Sequence, residues 1–503
     1  MATDDKEIFF IRKDLSGGQN NRIHGSNIGD NQATVLYNVD IGTPFQTSKR
    51  PGLGLIQDIG NNAGTGLFGF EPDGGTNVLL VTEGSNLSSW PGSGSFTNRY
   101  ASFTSGLQTT MIKTGEQGNN DVVLVSNGTD NVQRMTQGFV FADLGDTNTS
   151  PPKTTVMTSF RNRVWTLKSN LLSYSSAFPS DYSTAFDRTT NAFRMPVGTE
   201  RAVIGIRDAG LIVMGNDQVW GINPSSTPAA TDLPEKILDI GCAAGKTAVQ
   251  VGDDIYFLAY DGVRGVFRTQ QDKLQQGASY PLSYVLKDEV ASLSWGYITK
   301  SCAVYFDNKY FISVPVDGST YCNEVWAYYP ASQGWMIITG WNVAAWSKMK
   351  VNGEERLYAV DSTDGKVYRA WSGYDDNGTA INYQEEGRKE DMGQPLVTKT
   401  GGVYKLRALS SGNYTVSVYV SIDDADYTLL GTMSLSAGGL TLPFTLPATL
   451  SGQSIVEESF HLDSLGPWRQ IRFKIQHNDT NGNDTITFYD RSLTTYSDEY
   501  SSE

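Results

Sequence analysis

Short apolar runs broken by tight polar turns recur along the first three quarters of the chain. One unit reads as an apolar strand, a polar turn and a second strand ending on an aromatic or aliphatic residue. It occurs as LLVTEGSNLSSW from Leu79, VVLVSNGTDNVQRM from Val122, VWTLKSNLLSYSS from Val164 and LIVMGNDQVWGINP from Leu211. It continues as IYFLAYDGVRGVFR from Ile255, YFISVPVDGSTYCNEVWAYYP from Tyr310 and LYAVDSTDGKVYRAW from Leu357. The starts lie 43, 42, 47, 44, 55 and 47 residues apart. Hairpin signals punctuate the units at Gly84-Ser85-Asn86, Asn127-Gly128, Asn216-Asp217, Asp261-Gly262, Asp317-Gly318 and Asp364-Gly365. Asn-Gly and Asp-Gly supply the positive φ that two-residue hairpins require. A period of roughly 40–50 residues with a hairpin in each unit predicts propeller blades. A set of β-sandwiches with coincidental spacing is the alternative.

The long gap has a visible source. In the stretch 270–295, Ser283 is placed to cap a short helix over 284–293, with Leu286, Val290 and Leu293 on one face. After Trp371 the chain turns polar, charged and Gly-marked, which reads as a linker or crossover. Strict alternation then appears in YTVSVYVSID (414–423), WRQIRFKIQH (468–477) and TITFYDRSL (485–493), the signature of half-buried antiparallel strands. The expected organisation is all-β. Residues 1–60 close or brace a propeller of about seven blade-like repeats over 61–372. A linker follows at 373–400, a C-terminal β-sandwich at 401–495 and a frayed acidic tail at 496–503.

Composition agrees with many short strands and tight turns. Gly is abundant at 52 residues, and charged residues make up 18%, against a globular average of roughly 25%. The formal net charge of −15 disfavours specific nucleic-acid binding. It suits either plain solubility or a surface past which DNA slides without sticking. Cys242, Cys302 and Cys322 are widely spaced and form no CxxC, so they read as free, buried thiols of a protein made in a reducing cytoplasm. The start, MATDDKEIFF, is not a secretory signal, and no apolar stretch of about 18 residues predicts a membrane span.

Candidate chemistry is sparse. His24, His461 and His477 lie near neither each other nor a cysteine at ligand spacing. Gly241-Cys-Ala-Ala-Gly245-Lys246-Thr247 resembles a phosphate-binding loop but is one residue short. It also leads into a strand-like run where such a loop needs a helix N-terminus. Ser362-Thr-Asp364-Gly365 approaches a sialidase-type Asp box with its glycine one place early. The Asx runs at Asp375-Asp376-Asn377-Gly378 and 479–484 lack the bidentate Glu of an EF-hand loop and read as turns. Trp326, Trp335, Trp341 and Trp346 fit blade cores, with a carbohydrate platform as the alternative. No catalytic, cofactor-binding or metal-ligating residue is assigned, and no enzyme activity is expected.

Three stretches carry a family resemblance. The first is GGQNNRIHGSNIGDNQATVLYNVDI followed by TSKRPGL (17–53). The second is DNKYFISVPVDGSTYCNEVWAYYPASQGW (307–335), with YPLSYVLKDEV (280–290) before it. The third is EDMGQPLVTKTGGVYKLRA with RFKIQHNDTNGNDTITFYDRSL. Together they resemble the tail hub, nozzle or packaged-DNA stabilisation proteins of tailed bacteriophages. The resemblance is diffuse and spans most of the chain. It implies a virion protein that forms a ring, usually a homohexamer, around the tail channel. Portal or adaptor proteins, tail fibre or needle proteins and transiting genomic DNA would be its partners. It implies no catalytic residues and no cofactor. Two other readings stay open: a receptor-binding or fibre-like tail protein gripping a host glycan, and a propeller glycosidase or lyase.

Overall fold

A computed structural model describes residues 6–12, 14–118, 120–206, 210–410, 414–435, 454–477 and 485–497. Among these, seven antiparallel sheets stand side by side as the blades of a β-propeller, numbered here in chain order. Blades 1 to 4 have four strands each and cover 64–100, 110–143, 157–194 and 200–238. Blade 5 has three strands (249–265), and blade 6 has four (302–339). Blade 7 takes three strands from 343–370 and a fourth, Leu53–Asp58, from the start of the chain. The innermost strand of each blade adjoins that of the next, through the turn Gly245–Thr247 at blade 5. Val343–Val351 returns to Gly64–Phe70 and closes the circle. An N-terminal strand thus completes the last blade and latches the ring.

Each of the seven repeats begins on or beside the second strand of a blade. These strands are buried on both faces, which explains their continuous apolar runs where a half-buried strand would alternate. In Val78–Glu83, Leu79 and Val81 pack with Tyr358 and Val360 of blade 7, while Val78 and Leu80 pack with Val123 and Val125 of blade 2. Successive residues serve opposite neighbours, at roughly 1.5–3 kcal/mol for each large side chain fully buried. Several turns differ from the sequence reading: Asn127-Gly128, Asp317-Gly318 and Asp364-Gly365 lie in longer loops, between the pairs Val125–Gln133, Val314–Glu324 and Val360–Val367. Ser169 and Asn170, both at positive φ, form a tight turn that carries no glycine signal. In blade 5 Ala259 pairs with Gly262, so the turn is Tyr260-Asp261, one residue earlier than expected.

The excursion after blade 5 holds two helices, α1 (Val266–Gln276) and α2 (Lys287–Ser292). The expected helix over 284–293 is shorter, and Ser283 does not cap it. The Ser283 hydroxyl accepts from the Val263 backbone N–H instead, at 2.9 Å. Helix α1 packs on the blade 5 strands Asp254–Ala259 and Gly262–Gly265. Its first turn is capped from outside, since the Asp254 carboxylate accepts from the N–H groups of Phe267 and Arg268. Gly277, at φ 71°, ends it.

The C-terminal sandwich is built from more of the chain than 401–495. One sheet orders Ser454–His461, Lys399–Ser410, Ile486–Ser497, Thr47–Lys49 and Val39–Asp40, with Lys6–Arg12 also on Ile486–Ser497. The other begins as blade 6 and continues through Val35–Tyr37, Tyr383–Glu386, Ile471–His477, Tyr414–Ile422 and Thr428–Leu435 to make nine strands. The join is the parallel contact of Tyr37 with Ile337. The stretch 373–400, expected as a linker or crossover, therefore contributes an interior strand, because Tyr383 and Glu385 point inward and are buried. Of the tail, Tyr496 and Ser497 are ladder residues opposite Glu7 and Lys6, and 498–503 lie outside the described residues. A single apolar cluster runs from Phe311, Met336 and Trp341 in the propeller to Val418, Phe473 and Phe488 in the sandwich.

Candidate functional site

The residues that carry the family resemblance meet at the seam between propeller and sandwich. Gln19 is fully buried. Its amide nitrogen donates to the Glu289 carboxylate on α2, and its oxygen accepts from the Leu36 N–H at 2.8 Å. Asn21 donates to the other Glu289 oxygen at 2.7 Å. The Arg22 guanidinium lies 3.4 Å from the centre of the Tyr284 ring. Gly18, at φ 73°, rests on the backbone of Trp335, where a Cβ would come within 2.2 Å of the Trp335 nitrogen. The 17–22 segment thus docks onto both halves of the second stretch.

Within the first stretch, Asn38-Val39-Asp40 and Lys49-Arg50-Pro51-Gly52 form the latch. Asn38, at φ 61°, accepts from Arg50 Nε at 2.7 Å and from the Thr339 N–H at 3.1 Å. Its amide donates to Thr339 Oγ1 and to the Asn382 carbonyl. Arg50 holds Asp376 with both terminal nitrogens, at 2.9 and 2.7 Å, beneath the Trp341 ring. A Cβ on Gly52 would stand 1.8 Å from the Asp375 carbonyl oxygen, so only glycine allows this approach. The third stretch joins through Glu385, whose carboxylate pairs with Arg491 and accepts from Tyr383 Oη at 2.8 Å.

The seam is acidic. Burial, and secondarily the carboxylate of Glu289, pushes the Glu324 carboxyl up to about 7, against the opposing hydrogen bond from Trp326 Nε1. Burial also raises Glu289, and Tyr37 is pushed up to about 12 by burial and by these carboxylates. An acid whose pKa rises on folding stabilises the fold fully below its unfolded pKa and loses that contribution as pH climbs through the folded value. Stability therefore declines from about pH 4.5 to about pH 7.5 through this group, and Glu324→Gln removes that part of the decline. Urea midpoints measured across this range test it. Parallel profiles for the two proteins would contradict it.

The other singled-out residues are dispersed. The Gly241–Thr247 loop ends in a 3-10 turn and enters the strand Val249–Val251. Its Lys246 reaches across the propeller to the carbonyls of Thr65 and Thr109. His24 bonds to Ser26 and Lys389, His461 is exposed, and His477 packs on Tyr414. Cys242, Cys302 and Cys322 are buried and free, and burial pushes the first two thiols up to about 12. Asp375 closes its own turn by accepting from the Gly378 N–H. The run at 479–484 lies outside the described residues. Asp364 pairs with Lys366, and Ser362 donates to the Cys322 carbonyl. Trp326, Trp335 and Trp341 are fully buried, and Trp346 is 8% exposed, so these four form no carbohydrate platform. Among the described residues no group of three His, Cys, Asp or Glu is placed to hold a metal ion. No described helix is long and apolar enough to cross a membrane.

No protein-family model and no curated protein matches the chain. Solved structures similar to it include BBS1N in complex with ARL6DN, at 11% identity and TM-score 0.41, covering 64% of this chain and 97% of that one. The WD40 beta propeller domain of Doa1 is similar at 6% identity and TM-score 0.38, with the same coverage of each chain. A glycoside hydrolase family 43 arabinoxylan arabinofuranohydrolase from Bacillus subtilis is similar at 9% identity and TM-score 0.25, covering 87% and 96%. These likenesses concern the fold alone.

Proposed function

We propose that this chain is a structural protein of a bacteriophage tail, a hub or nozzle subunit that closes with its own copies into a ring around the DNA channel. The observation that carries this reading is the seam. One nine-stranded sheet and one apolar cluster run unbroken from blade 6 into the sandwich. The two lobes therefore form a single block, and the stretches that resemble tail hub proteins are the ones that weld it. A rigid block with two unlike flanks repeats head-to-tail, and a closed set of such contacts leaves an axial channel. The net charge of −15 repels a phosphate backbone, so DNA passes such a wall without adhering. The ring would also dock portal or adaptor proteins on one side and fibre or needle proteins on the other.

Peptide mass spectrometry of purified phage particles tests the assignment. The chain is expected as a multi-copy tail component. Its absence from the particle would overturn the reading.

A further inference from the structure

The innermost strands of the blades begin around a central funnel, and Lys246 stands inside it. Its ammonium donates to the Thr109 carbonyl at 2.8 Å and the Thr65 carbonyl at 3.3 Å, joining blade 5 to blades 1 and 2 on the far side. Two of its three hydrogens are thereby used. Among the described residues no carboxylate lies within ion-pair distance of it. Burial pulls its pKa down to about 8, against a smaller opposing effect of the Cys302 thiol. A cavity of about 260 Å³ opens beside it, lined among others by Thr110, Thr155, Glu200, Arg201 and Thr299. Arg201 is a second basic residue of this lining. The one acid there, Glu200, already accepts from the Asn170 N–H at 2.8 Å.

A half-buried cation with no carboxylate beside it carries a cost that an anionic ligand can relieve. Two basic residues and three threonines around one concave wall are a complement to an oxyanion. We propose that the propeller funnel binds the anionic group of a small molecule, a phosphate- or carboxylate-type oxyanion, between Lys246 and Arg201. The anion would satisfy the third ammonium hydrogen and pair with the Arg201 guanidinium. It would also tie blade 5 to blade 4 at the axis. The threonine hydroxyls would supply neutral donors around it.

Calorimetric titration of the full chain with sodium sulfate, sodium phosphate and sodium acetate tests this. Saturable binding is expected, weakened about tenfold or more by Arg201→Gln and by Lys246→Met. Preference for sulfate and phosphate over acetate assigns a phosphoryl-type ligand, and the reverse assigns a carboxylate. Lys246→Met removes a donor from two carbonyls, so an independent readout uses the unmutated chain. Sulfate is expected to slow acetylation of Lys246 several-fold, read by peptide mass spectrometry, with no effect on the exposed Lys350. Absence of saturable binding by all three anions, or acetylation of Lys246 indifferent to sulfate, overturns the proposal.

Discussion

Replacing Arg50 by methionine destabilises the folded chain by about 3–5 kcal/mol. The guanidinium is 1% exposed and feeds five acceptors: Asn38 Oδ1, the Pro51 and Thr339 carbonyls, and both oxygens of Asp376. Methionine matches its apolar stem but donates nothing. Asp376 would keep Trp341 Nε1, at 2.8 Å, as a donor and lose its counter-charge. Removing one member of such a pair costs more than removing both, because the remaining Asp376 charge is left with little solvent, its side chain being 14% exposed. Arg50→Lys restores the charge without the planar fork and recovers only part of the loss. Arg50→Met with Asp376→Asn recovers more. Arg50 also stands three residues before the strand that completes blade 7, and Gly52 and Leu53 are hydrogen-bonded to 373–377. The loss should therefore loosen the propeller latch together with the seam. Urea denaturation followed by tryptophan fluorescence measures it. A midpoint equivalent to less than about 1 kcal/mol of change would contradict the account.

Arg491→Met is expected to cost a similar amount, about 3–5 kcal/mol, but in the sandwich. Arg491 and Glu385 are 5% and 2% exposed. Burial opposes the arginine charge, and the adjoining Glu385 carboxylate more than offsets this, so the guanidinium pKa is raised. Arg491 also donates to Thr47 Oγ1 at 2.6 Å, and Thr47 in turn contacts Tyr383 Oη at 3.1 Å. The group thus ties together strands from the start, the middle and the end of the chain. With Arg491 gone, Glu385 keeps, among the described residues, the Tyr383 and Thr47 hydroxyls as donors. The double change Arg491→Met with Glu385→Gln should regain most of the stability, and the difference from the single changes gives the coupling. Equal losses in the single and double variants would show that packing, not charge pairing, governs the site.

The propeller was legible because its repeat lies on the most buried strands. The seven apolar runs mark the second strand of each blade, where both faces are packed and the composition is least free to vary. Helix α1 was not legible for two reasons. Its cap, Asp254, belongs to a preceding strand, and of its three apolar residues Val266, Phe267 and Leu274 the last is 81% exposed, so the apolar period is weak. Val35–Tyr37 and Tyr383–Glu386 are too short to show a period, and YQEE reads as polar although Tyr383 and Glu385 are buried. The phosphate-loop resemblance of Gly241–Thr247 dissolves into two close backbone approaches, Gly241 on Asn216 and Gly245 on Arg201. The seam was half legible. Gln19, Asn38, Arg50 and Gly52 stood out in motif-like company, but their partners Glu289, Thr339 and Asp375 lie hundreds of residues away. Only the folded chain brings them together.

The most direct test of the proposed role is an electron cryomicroscopy reconstruction of the phage tail. The account predicts a closed ring of copies of this chain around the axial DNA channel, each copy a propeller and sandwich held in one fixed relation. A reconstruction in which the chain forms no ring around the channel, or in which propeller and sandwich swing independently, would contradict it.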